Sequence, residues 1–254
     1  MTEPTVAITG ASGTLGRALL RRWHRRGARL IALCHGDRPL ELREVDGTPI
    51  PLRQVQWRPG QEAAQASLLA EVDVLILNHG INRLGDCSAA ATGEALEVNA
   101  LSTWRWLELF ANVVQERQGQ GQGEGRPRPE AWINTSEAEI QPALSPLYEI
   151  SKRLIGQLLS LRAHELAETL RLRRLVLGPF RSGLNPYGVM GADWVAGQIL
   201  RQADWNCGLI IVTPNPLVYV LMPLTTLARW GYGTLLRRSG GGQAAPPELR
   251  SPGR

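Results

Sequence analysis

The 254-residue sequence is poor in residue types that mark several classes of protein. Its three cysteines lie far apart and form no paired spacing, which excludes a disulfide framework and a cysteine metal site, and we predict no bound metal. The start, MTEPTVAITG, lacks a charged and then apolar leader, so a cytoplasmic protein is expected. Only one of the 28 lysine and arginine residues is a lysine, Lys152.

The basic excess is the first positive feature, with a net charge of +5. Its densest cluster, Arg21 to Arg29, follows apolar residues on a helical stretch that ends at Gly27, so it reads as a solvated helix face. No zinc, homeodomain or aromatic RNA-reading motif accompanies the charge. We therefore predict no nucleic-acid partner.

Short β-branched runs alternate with longer amphipathic stretches along the chain. The predicted strands are TVAIT, RLIALC, RQVQW, VDVLILN, AWINTS, LRRLVLG and GLIIVT. Parallel strands need crossover connections, and strands buried on both faces read as continuous apolar runs. The pattern predicts one α/β domain, a doubly wound parallel sheet with helices on both faces.

Two segments break this alternation. Gln118 to Pro129 is rich in Gly, Gln and Pro and is predicted to be a loop at the amino ends of the strands, away from the ligand side. Residues 239–254 have a similar composition and are predicted to be a disordered tail.

A strand runs into a glycine turn in TVAITGASGTLGRALL, and a helix is predicted from about Thr14. A helix N-terminus offers free N–H groups and a positive dipole end to a pyrophosphate. Gly10, Gly13 and Gly16 permit a tight turn, close approach of a phosphate and close packing of helix on strand. A purely structural turn is the alternative interpretation of this motif alone.

Tyr148 and Lys152, in YEISK, share one helix face because they are four residues apart. A tyrosine with a pKa of ~10 is a poor acid/base near neutrality, and a neighbouring ammonium would stabilise its phenolate and lower that pKa. Lysine is a compact ammonium, whereas arginine is a broad planar fork, so retention of lysine here favours a functional role. Tyr148 is the predicted general acid/base.

Ser136, at the end of AWINTS, is predicted to hydrogen-bond a substrate oxygen. Taken alone, each of these residues has a structural reading. Asn99 would be a helix N-cap, Ser136 a loop cap and Tyr148 a half-buried core residue.

Together, TGASGTLG, LILNHG, LEVNALS, INTS and YEISK resemble, in order and spacing, the short-chain dehydrogenase/reductase family over residues 5 to about 213. The segments WINTSEAEI and LGPFRSGLNP also look like the reductase portion of sterol desaturase/short-chain dehydrogenase-like proteins. The resemblance implies a Rossmann-type fold, an NAD(P) cofactor and the catalytic tetrad Asn99, Ser136, Tyr148 and Lys152. It implies cofactor contacts from Thr9, Gly10, Ser12, Gly13, Thr14, Leu15, Gly16, His35, Asn78, Gly80, Tyr148, Lys152 and Pro179.

Some positions depart from the family pattern. Gly13 comes early in the glycine turn and Thr14 fills the usual glycine place, a spacing that resembles the extended, sugar-modifying branch. Cys34 and His35 stand where NAD-preferring members carry an acid, so His35 or Arg38 is predicted to meet a 2′-phosphate. NADP(H) is therefore predicted over NAD(H). Arg58 replaces an expected adenine-binding Asp, and no contact is assigned there.

The chain is predicted to have three parts: a cofactor-binding domain over 1–213, an apolar segment over 214–238 and the tail over 239–254. The loop from Arg181 to Met190 is too short for a helical lid. No charged residue lies between Trp205 and Ala228, but Pro216 and Pro223 argue against a membrane-spanning helix. An interfacial membrane contact through 214–236, a cover of the core or a homo-oligomer interface remain as alternatives.

The sequence thus predicts an NAD(P)-dependent oxidoreductase that interconverts a carbonyl and an alcohol on an apolar, lipid-derived small molecule. A non-catalytic NAD(P)-binding regulatory protein is one alternative, although it would need no intact tetrad. A nucleotide-sugar epimerase-like enzyme is the other, although it would want a larger domain after Phe180.

Overall fold

A computed structural model describes residues 3–121 and 126–240, with the side chains of 232–240 left out of the description. Seven parallel strands form one sheet in the order β3-β2-β1-β4-β5-β6-β7. The strands are β1 (Thr5–Thr9), β2 (Arg29–Cys34), β3 (Arg53–Gln56), β4 (Val74–Leu77), β5 (Glu130–Ser136), β6 (Arg171–Leu177) and β7 (Leu209–Val212). Each lies within or against a predicted run, so the predicted strands and the parallel sheet are confirmed.

Helices cover both faces of the sheet, as the doubly wound prediction requires. They are α1 (Thr14–His24), α2 (Ala66–Leu69), α3 (Ala89–Leu96), α4 (Ser102–Gly119), α5 (Pro146–Thr169), α6 (Ala192–Asp204) and α7 (Val218–Gly240). One core layer packs α1 and α6 against the sheet, and the other packs α4 and α5. Alternate strand residues face the two layers, as Ile8 and Ala7 do on β1.

The boundaries differ slightly from those predicted. Helix α4 continues to Gly119, so the predicted loop from Gln118 begins two residues later, and 122–125 lie outside the described residues. Helix α7 continues to Gly240, so the first two residues of the predicted tail are helical, while 241–254 lie outside the described residues.

Helix α7 leaves the sheet directly after β7 and buries only a narrow stripe. Val218 and Met222 are fully buried against Val176 and Ile211 of the last two strands. Four aliphatic residues on other sides of the helix are 42–62% exposed: Val220, Leu221, Leu224 and Leu227. Within residues 3–121 and 126–240, no helix is both long and apolar enough to cross a bilayer.

Candidate active site

The glycine turn between β1 and α1 forms an open cradle. Gly10 has φ +62°, and a Cβ there would lie 2.9 Å from the Cα of His79. A Cβ on Gly16 would lie 2.8 Å from the Cα of Ala11, so this glycine lets the helix pack on the turn. Helix α1 starts at Thr14 with no side-chain cap on its N–H groups. The cradle fits the pyrophosphate of a dinucleotide, which free N–H groups and the helix dipole favour.

The predicted cofactor residues of this turn divide into exposed and buried ones. Ser12, Gly13 and Thr14 are exposed at the mouth of the cradle, whereas Leu15 is buried in the core and offers only its backbone to a ligand. Thr9 is fully buried, and its hydroxyl accepts from the backbone N of Asn78 at 3.0 Å. The side chain of Thr9 therefore shapes the loop after β4 instead of facing a ligand.

His79, which the sequence analysis did not single out, fixes that same loop. Its Nδ1 lies 2.8 Å from the hydroxyl of Thr9, and its ring packs edge-on against Trp57 at 4.9 Å. Burial, reinforced by the charge of Lys152, lowers the pKa of His79 to about 3. His79 is thus a neutral spacer beside the site.

Asn99 does not cap a helix, so that structural reading is wrong. Helices α3 and α4 run together through a π-helical turn, Glu97–Leu101, that contains Asn99. The Asn99 amide accepts from the backbone N of Ile81 at 2.7 Å and donates to Ile81 O and to the Ser151 hydroxyl, each at 3.0 Å. Ser151 donates in turn to the carbonyl of Tyr148 at 2.8 Å. The π turn therefore places Asn99 in contact with α5, which carries Tyr148 and Lys152.

Gly80 and Asn78 complete the contact between this loop and the neighbouring strands. A Cβ on Gly80 would lie 3.0 Å from Asn99 Oδ1, so the glycine admits the amide. Asn78 Oδ1 accepts from Asn134 Nδ2 at 2.9 Å. The carbonyl of Asn134 accepts from Lys152 Nζ at 3.0 Å. A continuous network thus joins β4, β5 and α5.

Tyr148, Lys152 and Ser136 converge at the carboxyl ends of the strands. Lys152 is 3% exposed, and its Nζ lies 5.6 Å from the ring centroid of Tyr148. Ser136 accepts from Ala138 N at 3.2 Å, so it does cap the short turn after β5. Its hydroxyl also acts to lower the pKa of Tyr148. The predicted tetrad is therefore assembled in one place.

Electrostatics at the site differ from the expectation in one respect. Burial raises the pKa of Tyr148 above its usual 10, against the opposing effect of the Ser136 hydroxyl. Burial also lowers the pKa of Lys152 to about 8. The expected lowering of the Tyr148 pKa is not seen in the protein without cofactor, because desolvation of the phenolate has the larger effect.

The cofactor-specificity region lies at the end of β2. Cys34 is buried against Ser12, and burial raises the pKa of its thiol. His35 and Arg38 are exposed beside it, as is Arg58. Sequence reasoning missed Arg17, whose guanidinium donates to the carbonyls of Ser12 and Glu41 at 3.0 and 3.1 Å, which holds it next to this region.

The loop after β6 folds back on itself without a helix, as predicted. The carbonyl of Pro179 accepts from Val189 N at 2.9 Å, and Phe180 forms an isolated bridge with Met190. Pro179 is half-buried at the edge of the site.

Several solved structures with a similar fold are short-chain dehydrogenases or reductases. The enzyme from Sphingobium yanoikuyae in complex with NADPH has a TM-score of 0.68 at 22% identity, covering 95% of this chain and 98% of that one. A short-chain dehydrogenase from Burkholderia cenocepacia in complex with NADP has a TM-score of 0.67 at 19% identity, covering 92% and 97%. The Rossmann-type fold that the motif resemblance implies is therefore confirmed.

A comparison by sequence gives a relative with a higher identity than these structures. The chain is 42% identical over 219 residues to monoglucosyldiacylglycerol epimerase from Synechocystis sp., an alignment that spans 86% of this chain and 51% of that protein. The chain thus spans about half the length of this relative. No family model matches the chain.

Proposed function

We propose that this protein is an NAD(P)-dependent oxidoreductase that interconverts a secondary alcohol and a carbonyl on a lipid-linked substrate. The observation that carries the proposal is the convergence of Tyr148, Lys152 and Ser136 beside the glycine cradle. Burial of a charged lysine costs stability. A non-catalytic nucleotide-binding protein would have no function to set against that cost.

Side chains of the protein would carry out the proton transfer. A bound nicotinamide supplies or accepts the hydride. Ser136 would hydrogen-bond the substrate oxygen, and Tyr148 would take the hydroxyl proton on oxidation and return it on reduction. Lys152, held by Asn134, would stabilise the phenolate form, and Asn99 would hold α5 in register through Ser151. The raised pKa of Tyr148 makes added positive charge from an oxidised nicotinamide important for the oxidative direction.

NADP(H) is the proposed cofactor. No acid stands at Cys34 or His35, His35 and Arg38 are exposed after β2, and Arg17 is held by the carbonyls of Ser12 and Glu41. These three basic residues support binding of a 2′-phosphate. Two proteins of this fold were solved with NADPH or NADP, which supports the choice. Fluorescence titration with NADPH and NADH tests it: equal affinities, or a preference for NADH, would contradict it.

A specific form of the reaction is epimerisation of a sugar hydroxyl on a glycolipid. The name of the 42%-identical relative favours it. The hydroxyl-bearing carbon would lose hydride, its oxygen would give its proton to Tyr148, and hydride and proton would return with the hydride on the opposite face. The cofactor is regenerated, so the net reaction needs no other oxidant.

Helix α7 is proposed to contact the lipid surface that holds such a substrate. It starts after the carboxyl end of β7 and exposes Val220, Leu224 and Leu227 by 57–62%. No Asp or Glu occurs from Trp205 to Pro247, whereas Arg229, Arg237 and Arg238 do, so the segment suits an anionic bilayer.

Two experiments test these proposals. The purified protein would be incubated with each cofactor and with glucosyldiacylglycerol or aliphatic ketones. Product analysis should show cofactor-dependent conversion that Tyr148→Phe abolishes.

Flotation with anionic and neutral vesicles tests the lipid contact of α7. The double variant Val220→Asp/Leu224→Asp should bind vesicles less than the control Val45→Asp, which changes a loop residue that is 93% exposed. A protein that stays in solution with both vesicles, or equal binding by both variants, would refute the lipid contact.

A further inference from the structure

Glu137, directly after Ser136, is unusual among the acidic residues. It is half-buried in the short turn Glu137–Glu139. Within the described part of the chain, every other carboxylate that is not exposed forms an ion pair with an arginine. These are Glu44, Glu62, Asp73, Glu97, Glu108, Glu130, Glu139 and Glu149. Glu137 forms no such pair there.

The neighbours of Glu137 are polar and uncharged. Thr213, just beyond β7, donates its hydroxyl to Glu137 Oε2. Gln141 acts to lower the pKa of the carboxyl group. Asn215 donates to Gln141 Oε1 at 2.6 Å. This group, Glu137, Gln141, Thr213 and Asn215, spans the carboxyl ends of β5 and β7, which is the ligand side of a parallel sheet.

Glu137 directly follows Ser136, the last residue of β5, so it lies at the same end of the sheet as the predicted tetrad. Its charge raises the pKa of Tyr148. Burial raises the pKa of Glu137 itself. A partly desolvated carboxylate without a cation is costly, and this chain has basic residues in excess. Hydrogen-bond donors on a bound ligand would offset that cost.

We infer that Glu137, oriented by Thr213 and flanked by Gln141 and Asn215, binds hydroxyl groups of a sugar ring beside the carbon that is oxidised. An ionised carboxylate only accepts hydrogen bonds, and its two oxygens match a pair of neighbouring hydroxyls. An aliphatic ketone or alcohol chain offers no such pair. The inference rests on the proposed function for the position of the reacting carbon next to Tyr148.

Equilibrium binding tests the inference without requiring turnover. Dodecyl β-glucoside, below its micelle concentration, and 1-dodecanol would be titrated by calorimetry into the protein saturated with NADP⁺. Glu137→Ala should weaken glucoside binding by roughly 10- to 100-fold, since hydrogen bonds to a charged group are lost, and should change dodecanol binding by less than about twofold. Glu108→Gln is the matched control, because Glu108 is also half-buried but pairs with Arg162. It should change neither affinity.

The outcomes separate this inference from the proposed function. Equal weakening for both ligands, no weakening, or no glucoside binding by the unaltered protein would overturn the hydroxyl contact. Glucoside binding that depends on Glu137, without conversion of any sugar or ketone substrate, would overturn the proposed reaction and leave the contact standing. Thermal unfolding of each variant shows whether a loss reflects misfolding. Glu137→Gln, which keeps the shape of the side chain and the Thr213 contact, should give a smaller loss than Glu137→Ala.

Discussion

Replacing Lys152 with methionine should stabilise the cofactor-free protein while abolishing activity. Lys152 is 3% exposed, and its Nζ donates a hydrogen bond to the carbonyl of Asn134. Its pKa falls from 10.5 to about 8 on folding because burial disfavours the charge. At about 1.36 kcal/mol per pKa unit, the charged lysine costs the fold about 3 kcal/mol at pH 7.

Methionine has a similar length and no charge to desolvate. Loss of the hydrogen bond to Asn134 offsets about 1 kcal/mol, so we expect a net gain of about 1–2 kcal/mol at pH 7. The sign of the pH dependence follows from proton binding. Between pH 8 and 10.5 the unfolded chain holds the lysine proton more often than the folded one, so the stability of the unaltered protein rises with pH.

Urea unfolding at pH 7 and pH 9.5 measures both effects. The advantage of Lys152→Met should shrink by about 2 kcal/mol at the higher pH, because the unaltered protein then folds with a neutral lysine. Arg153→Met, at an exposed neighbour paired with Glu149, is the control and should change stability by less than about 0.5 kcal/mol at either pH. A Lys152→Met variant that is less stable at pH 7, or whose advantage is independent of pH, would refute the reasoning.

The remaining predictions concern the same site. Lys152→Arg should lower turnover by roughly 10²-fold or more with little change in thermal unfolding, because a guanidinium is broader than an ammonium; turnover within about threefold would contradict this. Tyr148→Phe should be at least as damaging to turnover, since it removes the transferable proton, and retained activity would exclude Tyr148 as the acid/base. Cys34→Asp should shift preference toward NADH in titrations, because a carboxylate accepts from ribose hydroxyls and repels a phosphate; an unchanged preference would argue against this position. Gly10→Ala should cost roughly 1–3 kcal/mol of stability and weaken NADPH binding, given its positive φ and its contact with the backbone of the β4 loop, and normal values for both would contradict the tight turn.

The sequence alone determined the sheet and the main features of the site. Buried parallel strands require continuous apolar runs such as VDVLILN, and these lie where the strands are. The sequence predicted the glycine turn because only glycine tolerates the positive φ of Gly10 and the close packing at Gly16. The sequence predicted that Tyr148 and Lys152 lie side by side, because a helix brings residues i and i+4 together.

Only the tertiary structure decided how the surrounding groups act. Asn99 precedes a helical pattern and reads locally as a cap, but a π turn carries the helix through it and aims its amide at Ile81 and Ser151. Local sequence carries no signal for such long-range partners. The raised pKa of Tyr148 depends on burial by residues distant in the chain. Glu137 stands out only when the ion pairs of the other shielded carboxylates are known. Several of these, such as Glu130 with Arg173 and Glu139 with Arg174, join residues that are far apart in sequence and meet only in the fold.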